Sequence, residues 1–270
     1  MKIKVEDFNL QYTLESGQCF NFNKVSYNKY SGVIKDKFIT IEQVNDILKI
    51  DSFPNIKEIG IREYFNLDIN YENILIQLAK DNNISKIIEK YRGLRVINQD
   101  EYECMFSYII SSFNSIQKIK KTIAYLSKHL GERITGDVYS FPNIEKLKNA
   151  DIKILREAKL GYRDKYIKES AFKIINDNID IYDIKNLDYT TAKKKLKEFP
   201  GIGDKVADCT MLYSMNFHNA FPIDTWINKY LTFNFKNNKE GKEILQKKFN
   251  GFAGWAQLFI FTDIRSIKNI

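Results

Sequence analysis

The chain has 270 residues and a mass of 31.8 kDa, a length that fits one or two domains. Because 44% of its residues are hydrophobic and 14% are aromatic, it can bury a sizeable core, which excludes a disordered chain. Its longest uncharged stretches fall short of the ~20 apolar residues of a membrane helix, so we expect no membrane span. The opening residues MKIKVEDF lack the apolar segment of an export signal, so we expect a cytoplasmic location.

Cysteine, histidine and charge content narrow the class further. The three cysteines, Cys19, Cys104 and Cys209, lie far apart and form no CxxC pair, which favours a reducing compartment over a disulfide framework. The histidines, His129 and His218, are too few for a typical zinc site, so we expect no metal centre. The net charge of +8 suits a partner that carries phosphate, although a lysine-rich composition without such a partner is the alternative.

Apolar periodicity predicts strands first and helices afterwards. Apolar and polar residues alternate from Phe8 to Leu14, and short β-rich runs follow at 30–34, 38–41 and 47–50, which together predict strands of an antiparallel meander. After Pro54 the spacing predicts helices over 56–65, 71–80, 84–91, 102–112, 116–130, 144–149, 152–158, 165–175 and 190–199. We place a domain boundary near residue 97, which gives a sheet domain with helices over 1–97 and an all-helical domain over 98–270.

The most informative segment is LKEFPGIGDKVADC, residues 196–209. One helix ends before Pro200 and the next begins near Asp204, with Gly201 and Gly203 between them. Glycines permit positive φ and leave backbone N–H groups bare, so this turn and the following helix N-terminus can hold a phosphate. A plain turn between packed helices is the alternative. A Rossmann motif is excluded because a helix, and not a strand, precedes the glycines.

Residues 196–224 resemble the helix-hairpin-helix plus Gly/Pro-Asp motif of base-excision DNA glycosylases. In that family the lysine at the position of Lys205 is the nucleophile, and the aspartate at the position of Asp224 is its partner. Two further segments, ESGQCFNF (15–22) and GWAQLFIF (254–261), are similar to recognition segments of 8-oxoguanine DNA glycosylases. The resemblance covers nearly the whole chain. It implies an α+β fold, with an antiparallel sheet domain like that of TATA-binding protein followed by an all-helical glycosylase domain.

The roles that the resemblance gives to Lys205 and Asp224 agree with their chemistry. An amine attacks carbon only when it is neutral, so burial and the positive end of a helix must disfavour the ammonium form of Lys205. A solvated lysine is the alternative. Asp224 precedes an apolar helical run, which also makes it an N-cap candidate. A carboxylate held by helix N–H groups stays ionised and can stabilise positive charge on deoxyribose.

The resemblance also implies a pocket for the extruded base. Gly17 offers its carbonyl to the ring N–H that distinguishes 8-oxoguanine from guanine, and Gln257 binds the hydrogen-bonding edge. Phe261 and Cys209 enclose the ring. Gln257 and Phe261 are four residues apart, so they share one helix face. A turn glycine at position 17 and core packing of the other side chains are the alternatives.

Further positions resemble the family's DNA-binding segments, with departures. The resemblance implies that Tyr162 inserts into the base stack and that Arg163 faces the cytosine opposite the lesion. Members with strict cytosine preference have an asparagine at the position of Phe113, whereas in this chain the nearest asparagine, Asn114, is one residue later. Those members also have a second arginine at the position of Lys118. Because lysine lacks the planar fork that reads a base edge, we expect a weaker preference for cytosine. At Trp226, some relatives have a histidine near the backbone phosphate, and the indole N–H can still donate.

The sequence therefore predicts a bifunctional DNA glycosylase/AP lyase of base excision repair. The expected partner is duplex DNA that contains 8-oxoguanine, bound by a monomer in the cytoplasm, at the nucleoid, without metal or organic cofactor. A superfamily glycosylase for another damaged base and a non-catalytic DNA-binding module are the alternatives. Lys205 counts against a monofunctional enzyme, which would activate water and not need the amine. The pairing of Lys205 with Asp224 argues against a non-catalytic module. The lack of four clustered cysteines counts against the iron–sulfur branch.

Overall fold

The computed structural model describes residues 1–235, 237–249 and 251–267. Its N-terminal part is a five-stranded antiparallel sheet of β1 (Lys2–Lys4), β2 (Phe22–Ser26), β3 (Lys29–Ile34), β4 (Lys37–Val44) and β5 (Ile47–Phe53). The strand order is β1-β5-β4-β3-β2, so the predicted meander is confirmed and β1 extends it at the β5 edge. Alternate residues such as Ile39 and Ile41 are fully buried because one face of the sheet packs on the core.

The strand predicted over residues 8–14 is wrong. The segment forms helix α1 (Leu10–Glu15), and the Asn9 side chain caps it by accepting a hydrogen bond from the Tyr12 N–H at 2.8 Å. Over so few residues, the alternating pattern also places apolar groups at helical spacing. The buried residues of this helix are Leu10, Thr13 and Leu14.

Helices make up most of the remaining chain, and every helix that the periodicity predicts is present, with ends shifted by a few residues. The helices are α2 (Glu58–Tyr64), α3 (Tyr71–Leu78), α4 (Asn82–Lys90), α5 (Glu101–Ser111), α6 (Ile116–Leu130), α7 (Ile144–Lys148), α8 (Ile152–Glu157), α9 (Arg163–Asn176), α10 (Tyr189–Leu196), α11 (Asp204–Ser214), α12 (Thr225–Asn234), α13 (Asn238–Lys248) and α14 (Ala253–Ile267). None of the helices in these ranges combines the length and apolar character that a bilayer span requires.

The prediction that the C-terminal part is all-helical is wrong, because this part also contains two short strands. Strands β6 (Arg133–Thr135) and β7 (Val138–Tyr139) form a small hairpin between α6 and α7. Gly136 makes the turn with a φ of +50°, and its carbonyl accepts a hydrogen bond from the Arg133 guanidinium at 2.7 Å. Strands of two and three residues are too short to leave a period-two pattern.

Two hydrophobic clusters divide the molecule. The sheet, α1 and α2 enclose the smaller cluster, and α3 onwards enclose the larger one. Helices α3 and α4 thus pack with the helical part, although they precede residue 97, and Ile97 itself packs with the sheet. The boundary at residue 97 stays a prediction.

The buried Gln18 side chain ties residues 15–22 to the chain that connects the two clusters. Its amide nitrogen donates to the carbonyls of Thr13 and Arg95 at 3.0 and 2.8 Å, and its amide oxygen accepts from the Ile97 N–H at 2.9 Å. These bonds cross about eighty residues of sequence, so they fix the segment that carries Gly17.

A buried carboxyl group, Glu103 of α5, also lies between the sheet domain and the helices. Asn21 donates a hydrogen bond to Glu103 Oε1 at 3.1 Å. Burial raises the pKa of Glu103 from 4.5 to about 8, with the charge of Asp100 adding to the effect. At neutral pH the folded protein therefore favours the protonated carboxyl.

Glu103→Gln tests the cost of this carboxyl. Because its pKa is raised in the folded state, the stability that it contributes is full below pH 4.5 and is lost as the pH rises through about 8. Between pH 5 and pH 9 we expect the wild-type free energy of unfolding to fall by about 2–4 kcal/mol more than that of Glu103→Gln. Urea denaturation measures this, with exposed Glu89→Gln as the control. Parallel profiles for wild type and Glu103→Gln would contradict it.

Candidate active site

A cavity of about 1440 Å³ opens between the segment of residues 14–30 and the helices of the second cluster. All the predicted catalytic and base-pocket residues line it, together with most of the predicted DNA-contact residues. They are Lys205, Asp224, Gly17, Gln257, Phe261, Cys209, Gly201, Gly203, Tyr162, Asn114 and Trp226. Arg163 and Lys118 are the two predicted site residues that the structure places elsewhere.

The predicted hairpin connects α10 to α11 at the edge of this cavity. Gly201 adopts a φ of +82°, and a Cβ there would lie 2.6 Å from the Tyr166 ring, so the close approach of the turn to α9 requires glycine. Gly203 is the N-cap of α11 and has open space around it. No side chain caps this helix, so its first N–H groups face the hairpin turn.

Lys205 projects from the first turn of α11 into the cavity wall. Its Nζ donates a hydrogen bond to Ser111 Oγ at 3.0 Å and lies 4.8 Å from the centre of the Tyr108 ring. Both partners belong to α5, and both are buried. The amine is therefore oriented by a hydroxyl and an aromatic face, unlike a lysine on a solvated helix surface.

Asp224 enters the same cavity from the N-terminus of α12. Its Oδ1 accepts hydrogen bonds from the N–H groups of Trp226 at 3.1 Å and Ile227 at 2.8 Å, which confirms the predicted N-cap. Burial raises the pKa of Asp224 above the usual aspartate value, while the Ile227 N–H and the charge of Lys205 counteract that rise. Lys205 and Asp224, the two predicted catalytic residues, thus line the same cavity.

The base-pocket residues form another part of the cavity wall. Gln257 is buried on α14, and its Oε1 accepts from the Tyr213 hydroxyl at 3.3 Å, which orients the amide. Gly17 has a φ of +91°, and a Cβ there would lie 3.3 Å from Phe261. Burial raises the pKa of the Cys209 thiol to about 12, so this side chain is uncharged at neutral pH. These surroundings suit a flat, hydrogen-bonding ring.

Arg163 does not face the cavity, which corrects its predicted position. Its guanidinium is buried and donates to the carbonyl of Ser112 through Nε at 2.9 Å, and to those of Leu160 and Phe113 at 3.0 and 3.3 Å. These carbonyls engage all three guanidinium nitrogens, so the guanidinium points into the protein. Lys118 lies on the exposed face of α6, while Lys120 of the same helix lines the cavity.

Two exposed aromatic side chains stand at the mouth of the cavity instead. Phe113 is 95% exposed and has a φ of +49°, and Tyr162 is 51% exposed. Arg163 fixes both, because it binds the Phe113 carbonyl and its guanidinium carbon lies 4.5 Å from the centre of the Tyr162 ring. Asn114 bonds locally, accepting from the Ser115 N–H at 3.0 Å.

A buried charge network holds α11 in place. Asp208 is 1% exposed and accepts hydrogen bonds from Tyr189 at 2.7 Å, Lys193 at 2.9 Å and Lys242 at 2.7 Å. These groups come from α10 and α13, so one carboxylate joins three helices. Lys193 is thus part of the buried network, whereas the adjacent Lys194 and Lys195 are exposed.

In the parts of the chain that the structure describes, no three His, Cys, Asp or Glu side chains are grouped so that they could hold a metal ion. The cavity-lining residues that sequence reasoning missed include Tyr108, Ser111, Lys120 and Arg265. None of them lies in the motifs that identified the site. Only their packing against α11, β2 and residue 17 brings them together.

The chain is similar to several known proteins. The family model for the 8-oxoguanine DNA glycosylase N-terminal domain matches residues 1–105. The N-glycosylase/DNA lyase OGG1 of Arabidopsis thaliana is 27% identical over 286 residues, which cover 97% of this chain and 78% of that protein. Clostridium acetobutylicum 8-oxoguanine glycosylase/lyase, in its crystal structure with duplex DNA, is 30% identical in sequence to this chain. The two structures match with a TM-score of 0.90, and the match covers 100% of this chain and 99% of the Clostridium chain.

The structure of MBOgg1 with a low-affinity DNA ligand is similar as well, with 30% identity, a TM-score of 0.92, and coverage of 99% of this chain and 96% of that chain. The helix-hairpin-helix, the lysine of α11 and the aspartate cap of α12 define a DNA glycosylase of the helix-hairpin-helix class. Within that class, the chain belongs to the 8-oxoguanine DNA glycosylase family.

Proposed function

We propose that this protein is a bifunctional DNA glycosylase and AP lyase that excises 8-oxoguanine from duplex DNA in base excision repair. The observation that carries the proposal is the convergence of the Lys205 amine and the Asp224 carboxylate on one cavity whose wall contains Gly17 and Gln257. The relative from Clostridium acetobutylicum is described as a glycosylase/lyase in complex with DNA that contains 8-oxoguanine opposite cytosine.

Access to the target requires the base to leave the duplex. The sugar carbon of a stacked nucleotide is shielded, so the enzyme must flip the nucleotide into a pocket. The cavity of about 1440 Å³ has room for a nucleotide. Tyr162 and Phe113 stand at its mouth, where an aromatic side chain can occupy the gap left in the stack.

The chemistry then passes through Lys205. Its Nζ attacks C1′ of the sugar, the C1′–N9 bond breaks, and the base leaves with the bonding electrons. Nζ then loses a proton, and the C1′–O4′ bond breaks as O4′ takes up a proton, which leaves an iminium ion, a Schiff base, at C1′. The iminium ion makes the neighbouring C2′ proton acidic, and the loss of that proton expels the 3′ phosphate by β-elimination. Asp224, held at the start of α12, offers negative charge to the cationic sugar during the first step.

Recognition of the oxidised base rests on the Gly17 carbonyl. The imidazole ring of 8-oxoguanine carries an N–H that donates to a carbonyl, whereas guanine presents a lone pair at the same place. Burying two facing acceptors is costly, so this contact discriminates strongly. The positive φ of Gly17 sets the direction of the segment that carries the carbonyl.

The hairpin between α10 and α11 is the proposed binding site for the DNA backbone. Gly201 and Gly203 leave the N–H groups at the start of α11 uncovered, which suits a phosphate. Trp226 also lines the cavity, and an indole N–H can donate to a phosphate. One chain supplies all the residues of the proposed site, so we also propose that the protein acts as a monomer. We further propose that it needs neither metal nor cofactor and acts in the cytoplasm, at the nucleoid.

Lys205→Gln tests the nucleophile. Incubation of the wild-type protein with an 8-oxoguanine duplex and borohydride should give a covalent protein–DNA adduct, because the reagent reduces the Schiff base. Lys205→Gln removes the attacking amine, so both the adduct and the nicked strand should disappear. Denaturing gel electrophoresis resolves these products, and Lys173→Gln on the surface of α9 is the matched control. An adduct that persists in Lys205→Gln would place the nucleophile elsewhere.

Asp224→Asn tests the role of the carboxylate without removing the helix cap, since asparagine caps as well as aspartate. We expect single-turnover excision to slow by at least about 100-fold, because a neutral amide cannot balance the cationic sugar. Binding to the lesion duplex should stay within about threefold of wild type. Because burial raises the pKa of Asp224, wild-type excision should also fail in acid at a higher pH than for an ordinary aspartate. Unchanged excision by Asp224→Asn would rule out this role.

The opposite-base preference follows from the position of Arg163. A bidentate arginine contact is worth ~1–3 kcal/mol in discrimination between bases. The structure directs this guanidinium to backbone carbonyls, and Phe113 presents no polar group to the orphaned base. We therefore expect single-turnover excision rates opposite the four bases to lie within about tenfold of one another. A preference for cytosine above about 100-fold would show that an arginine reads the base.

A further inference from the structure

Arg265 is a cationic residue in the base cavity to which the family motifs assign no role. It lies on α14 two turns beyond Gln257, so Gln257, Phe261 and Arg265 share one face of the helix, and all three line the cavity. The guanidinium carbon lies 5.4 Å from the centre of the Phe261 ring. The residue thus stands beside the proposed base-binding wall.

One amino group of Arg265 is unpaired. Nη2 donates to the backbone carbonyl of Glu15, whereas Nη1 is buried and has no hydrogen-bond partner in the described part of the chain. A buried donor without an acceptor is costly, and native proteins rarely keep one without a use. Nη1 is therefore a candidate donor for a ligand.

Gly17 shows where this amino group lies. A Cβ at position 17 would come within 2.4 Å of Arg265 Nη1 and 3.3 Å of the Phe261 ring. The unpaired donor is thus next to the residue whose carbonyl recognises the base in the proposed function. Any side chain at position 17 would displace the guanidinium from this place.

Within residues 1–235, 237–249 and 251–267, no carboxylate forms an ion pair with Arg265. The Glu15 carboxylate is bound by Tyr30 at 2.7 Å and Lys24 at 2.9 Å, and Arg265 contacts only the backbone of Glu15. Burial lowers the pKa of Arg265, and the charges of Glu15 and Asp224 oppose that effect. A guanidinium stays protonated in proteins, so a positive charge is present beside the pocket.

We propose that Arg265 Nη1 donates a hydrogen bond to a carbonyl oxygen of the extruded oxidised purine, and that the guanidinium stabilises the base as it leaves. This inference rests on the proposed function. As the Lys205 Nζ–C1′ bond forms and the C1′–N9 bond breaks, the electron pair departs with the purine as an anion delocalised over its carbonyl oxygens. A proton released from Nζ finally neutralises that anion. Asp224 then acts at the cationic sugar and Arg265 at the anionic base, the two ends of the breaking bond.

A purely structural role for Arg265 gives different expectations. If the side chain only ties α14 to the end of α1 through the Glu15 carbonyl, its loss should affect every activity of the site alike. If it assists the leaving base, only reactions that release a base should suffer. A duplex with a preformed abasic site separates the two, because Lys205 still forms a Schiff base there but no purine departs.

The experiment compares Arg265→Gln and Arg265→Lys with wild type in single-turnover excision from an 8-oxoguanine duplex and in cleavage of a preformed abasic duplex. Arg265→Gln should slow excision by about 100-fold, and Arg265→Lys, which keeps the charge, by only about tenfold. Abasic-site cleavage should stay within about twofold of wild type for both. Arg92→Gln, which removes an exposed arginine paired with Asp7 and Glu72, should leave both reactions unchanged.

Several outcomes overturn the inference. Unchanged excision by Arg265→Gln shows that the guanidinium does not assist the base, and equal losses in excision and abasic-site cleavage show a structural clamp. Equal excision by the Gln and Lys variants shows that charge is irrelevant. Wild-type protein that releases no 8-oxoguanine overturns the proposed function and this inference with it. Active wild type with unaffected Arg265 variants overturns the inference alone.

Discussion

The convergence of two helix N-termini on one cavity is the constraint on which the site depends. Lys205 lies in the first turn of α11, and Asp224 is the N-cap of α12. The N–H groups in the first turn of α12 bind the Asp224 carboxylate. Those in the first turn of α11 have no side-chain cap and are available to a DNA phosphate. Because both helices start at the cavity, the same arrangement positions the Asp224 carboxylate, the Lys205 amine and the DNA backbone.

The rest of the fold keeps these two helix ends in register. Asp208, one turn after Lys205, is buried among two lysines and a tyrosine from α10 and α13, so α11 cannot rotate without stranding three charges. On the other side, Ser111 and Tyr108 of α5 receive the Lys205 amine. The sheet domain contributes residue 17 through the segment that Gln18 anchors, so the base wall is assembled from both ends of the chain.

Sequence reasoning succeeded where the function depends on local spacing. The hairpin glycines, the lysine that follows them and the Asp224 cap are short patterns with few conformations open to them, and the structure brings them to one cavity. It failed where a local pattern was ambiguous, as in α1, or where direction depends on distant atoms. Arg163 turns inward because carbonyls of Ser112 and Phe113, about fifty residues earlier, accept its donors. Arg265 reaches the cavity only because Gly17 leaves space for it.

The central claim is that the Lys205 amine itself bonds to the sugar. Mass spectrometry of the borohydride-reduced adduct, after protease digestion and removal of the DNA chain, locates the deoxyribose remnant on the protein. The account predicts a single modified peptide with the added mass on Lys205. A remnant on another amine, such as that of Lys120 in the same cavity wall, would contradict it.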